Sequence, residues 1–227
     1  MNGYPFTLNS TQLIALSTGL LWWADRKILC VSDLHLGKSE RMARRGGALL
    51  PPYENKDTLT RLAIAINAVN PATVICLGDS FDDLQALDGL NDDDHVMLSA
   101  LMGGRRWIWI EGNHDAGPVN IGGNHLAEFV VGPLTFRHIA KEGGGEISGH
   151  YHPKATVKLK SGSISRSCFL IDENRVILPA FGAYTGGLKS TDPTFAPIMT
   201  EKSVAVLTGS QALPIPMPRQ TSIPKIF

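Results

Sequence analysis

The sequence predicts an α/β fold in which two β-sheets pack face to face with helices outside. Three apolar runs, Ile28-Leu29-Cys30-Val31-Ser32, Thr73-Val74-Ile75-Cys76-Leu77 and Trp107-Ile108-Trp109-Ile110, stop abruptly in polar residues, as buried strands do when they deliver side chains to a sheet edge. Between them, apolar residues recur at helical spacing, so the first half reads strand, helix, strand, helix, strand, a doubly wound pattern. The second half breaks into short strand candidates separated by glycine-rich or charged turns, which indicates antiparallel or mixed sheet.

The elements follow in order. From Phe6 to Trp23 the mixed pattern ending in Leu20-Leu21-Trp22-Trp23 predicts a hairpin that feeds the core, with both tryptophans as packing residues. Residues 39–45, rich in basic side chains and followed by Gly46-Gly47 and Pro51-Pro52, read as a loop beside the first strand end. Asp57 is a good N-cap for a crossover helix carrying Leu59, Leu62, Ala63, Ile66 and Val69, which Asn70-Pro71 stops. A second helix is expected over 92–102, ended by Gly103-Gly104. Later strand candidates are 134–138, 146–148, 155–159, 167–171, 175–178 and 204–207. From Gln211 onward Pro214, Pro216, Pro218 and Pro224 disfavour a helix or a central strand, so 211–227 is expected to be an extended tail after a single domain, 1–210.

Bulk properties narrow the function. With 43% hydrophobic and 19% charged residues the composition is that of a soluble globular protein, no apolar run reaches bilayer length, and the start lacks the basic and apolar regions of a signal peptide. A cytoplasmic location is expected, and Cys30, Cys76 and Cys168, each inside an apolar run, suit reduced core thiols. Lysine and arginine total 21, as do aspartate and glutamate, so no global field favours a polyanion and any such partner must be held by a local patch.

The polar residues after the strand ends carry the chemistry. Asp33, His35, Asp79, Asn113, His138, His150 and His152 are hard or borderline metal ligands at or just after predicted strand ends. In order they form Asp33-Leu34-His35, Gly78-Asp79-Ser80-Phe81-Asp82-Asp83, Gly112-Asn113-His114-Asp115, His138 and Gly149-His150-Tyr151-His152. This set resembles the calcineurin-like metallophosphoesterase superfamily, and it spans roughly 27–153. The resemblance implies a four-layer αββα sandwich of two mixed sheets, with two divalent ions at the carboxyl ends of the strands. One ion would take Asp33, His35 and His152, the other Asn113, His138 and His150, with Asp79 as the shared carboxylate. A nitrogen-rich set with carboxylates favours manganese, iron, zinc or a mixed pair over calcium, and manganese is the first expectation. By the same resemblance His114 contacts the scissile phosphate or protonates the leaving oxygen, and Asp115 orients its ring.

Three stretches narrow the resemblance: Asp33-Leu34-His35-Leu36-Gly37-Lys38, the segment 146–153, and 178–188 with Phe181, Gly182, Tyr184, Gly186 and Gly187. They look like the bacterial ligase-associated DNA-damage-response metallophosphoesterases, DNA endonucleases and phosphodiesterases encoded with a DNA ligase and a helicase. The implied function is hydrolysis of single-stranded or flapped DNA, with ligase and helicase as repair partners. A small-molecule phosphodiesterase or phosphatase acting on nucleotides is the alternative, and a non-catalytic interaction scaffold the third reading. Asp82 stands where relatives often carry a histidine, so no DNA-contact role transfers to it. Candidate substrate contacts are Lys38, Arg44, Arg45, Arg137 and Tyr184, with Arg41, Arg105, Arg106 and Lys154 as further cations. Tyr184 either stacks on a base or belongs to a tight turn.

Overall fold

Alternation along the apolar runs decides the layering. In the computed structural model, which describes residues 2–219 apart from Ala48, Asp88, Pro118, Val119 and Ser161, the apolar runs at Ile28, Val74 and Trp107 are buried on both faces. The first sheet contains β1 (Gly3–Leu8), β2 (Thr11–Leu16), β3 (Leu21–Trp23), β4 (Ile28–Val31), β5 (Thr73–Cys76), β6 (Arg106–Ile110) and β7 (Asn124–Leu126), adjacent in that order. β1–β4 are antiparallel and β4–β7 parallel. The expected hairpin before the first buried strand is therefore a three-stranded meander.

Helices join the parallel strands as the spacing predicts. α1 (Lys38–Arg44) and α2 (Glu54–Val69) lie between β4 and β5, and α3 (Asp92–Met102) between β5 and β6. Leu59, Leu62, Ile66, Leu98 and Leu101 pack on Trp107 and Trp109 of β6, while Ile108 and Ile110 point to the opposite face. α3 starts at Asn91, whose side chain accepts the Asp94 N–H at 2.8 Å, and α2 ends at Asn70 with φ 42° just before Pro71. α2 begins three residues before Asp57, whose carboxylate instead pairs with Arg61 one turn later.

α1 corrects the expectation of a loop over 39–45. Its first turn is capped from outside the helix: Glu54 accepts the Ser39 N–H at 2.9 Å and the Ser39 hydroxyl, and Arg44 pairs with Glu40 one turn apart. Basic composition and nearby glycines could not reveal a cap supplied by a residue fifteen positions away.

The second sheet contains β8 (Glu128–Val131), β9 (Leu134–Arg137), β10 (Glu146–Ser148), β11 (Lys154–Leu159), β12 (Gly162–Ile171), β13 (Arg175–Ile177), β14 (Val204–Leu207) and β15 (Leu213–Pro216). Its order is β15-β14-β12-β13-β10-β9-β8, with β11 paired to β12 alone. β9, β10 and β13 are parallel and the other pairings antiparallel, so both sheets are mixed, as predicted. The sheets face each other through Cys30, Ile75, Leu77, Ile108 and Ile110 on one side and Phe136, Ile147, Phe169, Val176 and Val206 on the other. The outer face of the second sheet is covered by Phe195, Met199 and Met217 around a single 3-10 turn, Pro193–Phe195.

β15 lies within the stretch expected to be an extended tail. It adds antiparallel to β14 at the sheet edge, where Pro214 and Pro216 lack N–H groups that a central strand would need. Residues 220–227 of the expected tail lie outside the described residues. No helix among the described residues is long and apolar enough to cross a membrane.

Cys30, Cys76 and Cys168 are free and buried in these strands. Burial raises the thiols of Cys30 and Cys76, and pushes Cys168 up to about 12, so none is ionised near neutral pH. A thiol-specific chromogenic reagent at pH 8 is therefore expected to leave the native protein unlabelled and to titrate three thiols after guanidinium unfolding. Native labelling at the unfolded rate would show that these strands open readily.

Candidate metal centre

The two sheets converge at one end. β4, β5 and β6 run parallel, and beyond their carboxyl ends lie Asp33 and His35, Asp79, and Asn113. From the facing sheet, β9 leads into His138 and β10 into His150 and His152. All seven predicted ligands thus meet between the sheets, at the carboxyl-end crevice expected of parallel strands.

They meet as two clusters. In one, the ligand atoms of Asp33, His35 and His152 lie within 4.8 Å of one another; in the other, so do those of Asp79, His138 and His150. Asn113 Oδ1 joins the second cluster, 3.0 Å from His138 Nε2. Asp33, His35, Asp79 and His138 are buried, and Asn113 is exposed at the rim.

The imidazole tautomers are set by bonds on the far side of each ring. His35 Nδ1 donates to Asp82 Oδ1 at 2.7 Å and His138 Nδ1 donates to the Leu77 carbonyl at 2.7 Å. Each bond leaves the Nε2 lone pair turned inward. There His35 Nε2 faces His152 Nε2 at 3.4 Å, and His138 Nε2 faces His150 Nδ1 at 3.2 Å. Asp33 Oδ1 is buried without a well-formed hydrogen bond, although His152 Nε2 lies 3.0 Å away. Converging lone pairs and carboxylate oxygens repel one another unless a cation lies among them, so this donor set fits two divalent ions.

Charge follows the same geometry. Burial pushes the Asp79 carboxyl up, but its contact with His138 and the His114 N–H outweigh burial and hold it well below the usual carboxylate range. Asp33 is likewise lowered, with burial opposed by His152, His138 and Ser32. Asp33 Oδ2 accepts the Ser32 hydroxyl and the His150 N–H, the latter at 3.0 Å, which ties the first sheet to the second.

Backbone strain concentrates here. Among the described residues ten non-glycine residues have positive φ, and five of them are Asp33 (53°), His35 (45°), Asp79 (46°), His150 (70°) and His152 (46°). Each left-handed side-chain-bearing residue costs on the order of 1 kcal/mol or more, so the surrounding bonds must impose these conformations.

Asp115 supplies one of those bonds, to Asp79, and corrects its predicted role. Its Oδ1 accepts the N–H groups of Gly112 and Asp79 at 2.9 and 3.0 Å, and its Oδ2 those of Ser80 and Phe81 at 2.7 and 3.1 Å. It does not hold the His114 ring, because all four backbone donors converge on its carboxylate. The ring partner is the Asp82 carbonyl, 3.0 Å from His114 Nδ1. That carbonyl can only accept, so Nδ1 carries the proton and Nε2 points elsewhere; the His114 N–H bonds Asp79 Oδ1 at 2.8 Å. Gly112 has no room for a side chain, since a Cβ would collide with the Asp79 amide and carboxylate.

The predicted cations of α1 are balanced within the protein. Asp82, fully buried, faces Lys38 Nζ at 3.7 Å and pairs with Arg41 as well as His35. Arg44 binds Glu40, Asp83 and Gln85, and Arg45 pairs with Asp83 at 3.5 Å. Their basic run looked available in sequence because the neutralising Asp82 and Asp83 arrive from another loop. Arg137 pairs with Glu128 and Glu146 at the edge of a groove of about 250 Å3 that also includes Asn113, His138 and Lys141. Tyr184 is exposed and donates to the Pro51 carbonyl at 3.2 Å, whereas Phe181 is buried beneath Arg61 and cannot stack on a base.

Replacing Asp115 with Asn turns an acceptor into a donor against two of these N–H groups. The expected result is a loss of at least about 2 kcal/mol, read as a lower melting temperature, together with weakened metal retention. Wild-type stability and metal content with slowed turnover would restore the ring-orienting role.

A family model described as calcineurin-like phosphoesterase matches residues 26–180. Among solved structures, the nuclease MPE of Pseudomonas putida is similar over 94% of this chain and 100% of that one, with a TM-score of 0.72 and 26% identity. No curated protein sequence matches. With the matched span covering more than half of the chain, and the strand-end clusters inside it, the protein belongs to the calcineurin-like phosphoesterase family.

Proposed function

We propose that the protein is a dinuclear-metal-dependent phosphodiesterase that cleaves single-stranded or flapped DNA as an endonuclease in DNA repair. The observation that carries this reading is the pair of inward-facing imidazole contacts, each anchored by a bond on the far ring nitrogen. The nuclease MPE of Pseudomonas putida, similar along nearly the whole chain, supports DNA as the substrate. The resemblance of residues 33–38, 146–153 and 178–188 to ligase-associated enzymes supports a ligase and a helicase as cytoplasmic partners.

Asp33, His35 and His152 would hold one ion, and Asn113, His138 and His150 the other, with the Asp79 carboxylate shared between them. Manganese is the proposed metal. When bound, two such ions lower the pKa of a water between them and offset the charge that builds on the phosphoryl oxygens. The chain's own contribution is placement. His114 lies edge-on to His35, with ring centres 5.2 Å apart, and its Nδ1 is tied to the Asp82 carbonyl. Its Nε2 is therefore the ring atom that, once protonated to the imidazolium, would give its proton to the leaving oxygen of the ester. Asp82, absent from the predicted ligands, fixes the His35 tautomer and anchors α1 to the centre.

Asp79→Ala is expected to abolish turnover and release metal from both clusters, measured by elemental analysis; an active variant retaining two ions would refute the shared carboxylate. His114→Ala is expected to keep its metal while turnover falls roughly 10²–10⁴-fold, the scale of a positioned acid. Metal loss in that variant would make His114 a ligand. Metal-stripped protein given manganese, magnesium or zinc separately should cleave labelled single-stranded or flapped DNA best with manganese and duplex DNA poorly. Turnover of nucleotides and a chromogenic bis-ester with DNA left intact would instead select the small-molecule reading.

A further inference from the structure

The cations around α1 and Arg137 are paired with acids, but a second basic surface, which includes Lys154, is not. The β11–β12 hairpin carries Lys154, Lys158, Lys160 and Arg166, and from 153 to 171 the sequence contains no acidic residue. Among the described residues none of these four forms an ion pair, in contrast to Lys38, Arg41, Arg44 and Arg45 of the α1 region. The next acid along the chain, Asp172, already accepts the N–H groups of Asn174, Arg175 and Thr200.

Topology places this hairpin beside the metal centre. β10 and β13 are parallel, with Ser148 opposite Ile177, and the chain leaving β10 carries His150 and His152. β12 runs antiparallel to β13 and pairs with it only at Leu170 and Ile171. Its amino-terminal half therefore extends past the sheet at the end where the ligands lie, and residues 162–166 are exposed. Lys154 follows His152 by two residues, and its Nζ donates to the Thr185 carbonyl at 3.3 Å. The same loop contains Gly187, which packs so closely on the His152 carbonyl that a Cβ would collide with it.

The hairpin has two unlike faces. Phe169 and Ile171 point into the space between the sheets, so by alternation Ser167, Ser165 and Ser163 continue that side beyond the sheet end. Register sets these serines opposite Lys154, Thr156 and Lys158. The result is a ribbon of hydroxyls and ammonium groups, with Lys160 at the turn and exposed Lys189 alongside through its bridge to Lys154. Arg166 lies on the reverse face, opposite Ala155. From Lys154 to Lys158 the ribbon runs about 13 Å at strand spacing, room for more than one phosphate.

We propose that this face of the β11–β12 hairpin binds the phosphodiester backbone of single-stranded nucleic acid as it leaves the metal centre. Ammonium groups and hydroxyls without acidic neighbours match a polyanion, and a narrow ribbon suits a single strand better than a wide duplex footprint. The inference rests on the nuclease reading above and adds the surface that holds the substrate outside the cleavage site.

The test uses manganese-loaded protein with Lys158→Gln/Lys160→Gln, and Lys158→Arg/Lys160→Arg as the charge-keeping control. Both positions are exposed and lie at the end of the hairpin farthest from the sheet. The expected result is about a tenfold lower kcat/KM on single-stranded DNA at low salt, with bis-ester hydrolysis unchanged and the arginine variant near wild type. Anisotropy with a cleavage-resistant phosphorothioate oligonucleotide should show the log Kd against log salt slope shallower by about 0.7 per lysine removed. Equal DNA affinity and slope in wild type and the glutamine variant, with wild-type DNA cleavage intact, would overturn the hairpin alone and leave it open to an acidic protein partner. A wild type that hydrolyses the bis-ester but neither binds nor cuts DNA would overturn the nuclease reading and the hairpin with it.

Discussion

The Asp115 carboxylate gathers four backbone N–H groups from two different strand ends, Gly112 after β6 and Asp79, Ser80 and Phe81 after β5. Those donors point inward because the loops leave their strands without continuing the ladder, and a buried N–H without an acceptor costs about 1–3 kcal/mol. One carboxylate therefore holds the left-handed turn at Asp79 and the direction in which Asn113 and His114 leave the sheet. Asp33 performs the matching task between sheets, with one oxygen accepting Ser32 and His150 and the other facing the cluster.

The candidate ligands are held by bonds on their far sides. His35 and His138 are turned by an anion and a carbonyl behind them, and neither ring can rotate without breaking a buried bond. The same logic extends to Asp82, whose single buried carboxylate serves His35, Lys38 and Arg41 and so couples α1 to the first cluster. A cluster of lone pairs held in this way is electrostatically unfavourable on its own and favourable around divalent ions, and folding supplies the energy that keeps it assembled.

Much of this was legible in the sequence, and for a physical reason. Strands buried on both faces must be continuously apolar, so the runs at Ile28, Thr73 and Trp107 and the polar residues that end them stand out without any structure. Illegible features depended on partners distant in sequence. α1 needed Glu54 to cap it, Asp82 needed His35, which lies 47 positions away, and β15 needed the free edge of β14. The basic residues near α1 looked available because Asp82 and Asp83 reach them only after folding.

By itself the sequence determined the two-sheet α/β architecture and the seven candidate ligands, because apolar continuity and the order of ligand types are one-dimensional properties. Tertiary structure alone decided how those side chains divide into two clusters, that Asp115 serves the backbone while the Asp82 carbonyl holds the His114 ring, and that unpaired positive charge lies on the β11–β12 hairpin. Hydrogen bonds and charge balance depend on distances in space, and chain order does not carry those distances.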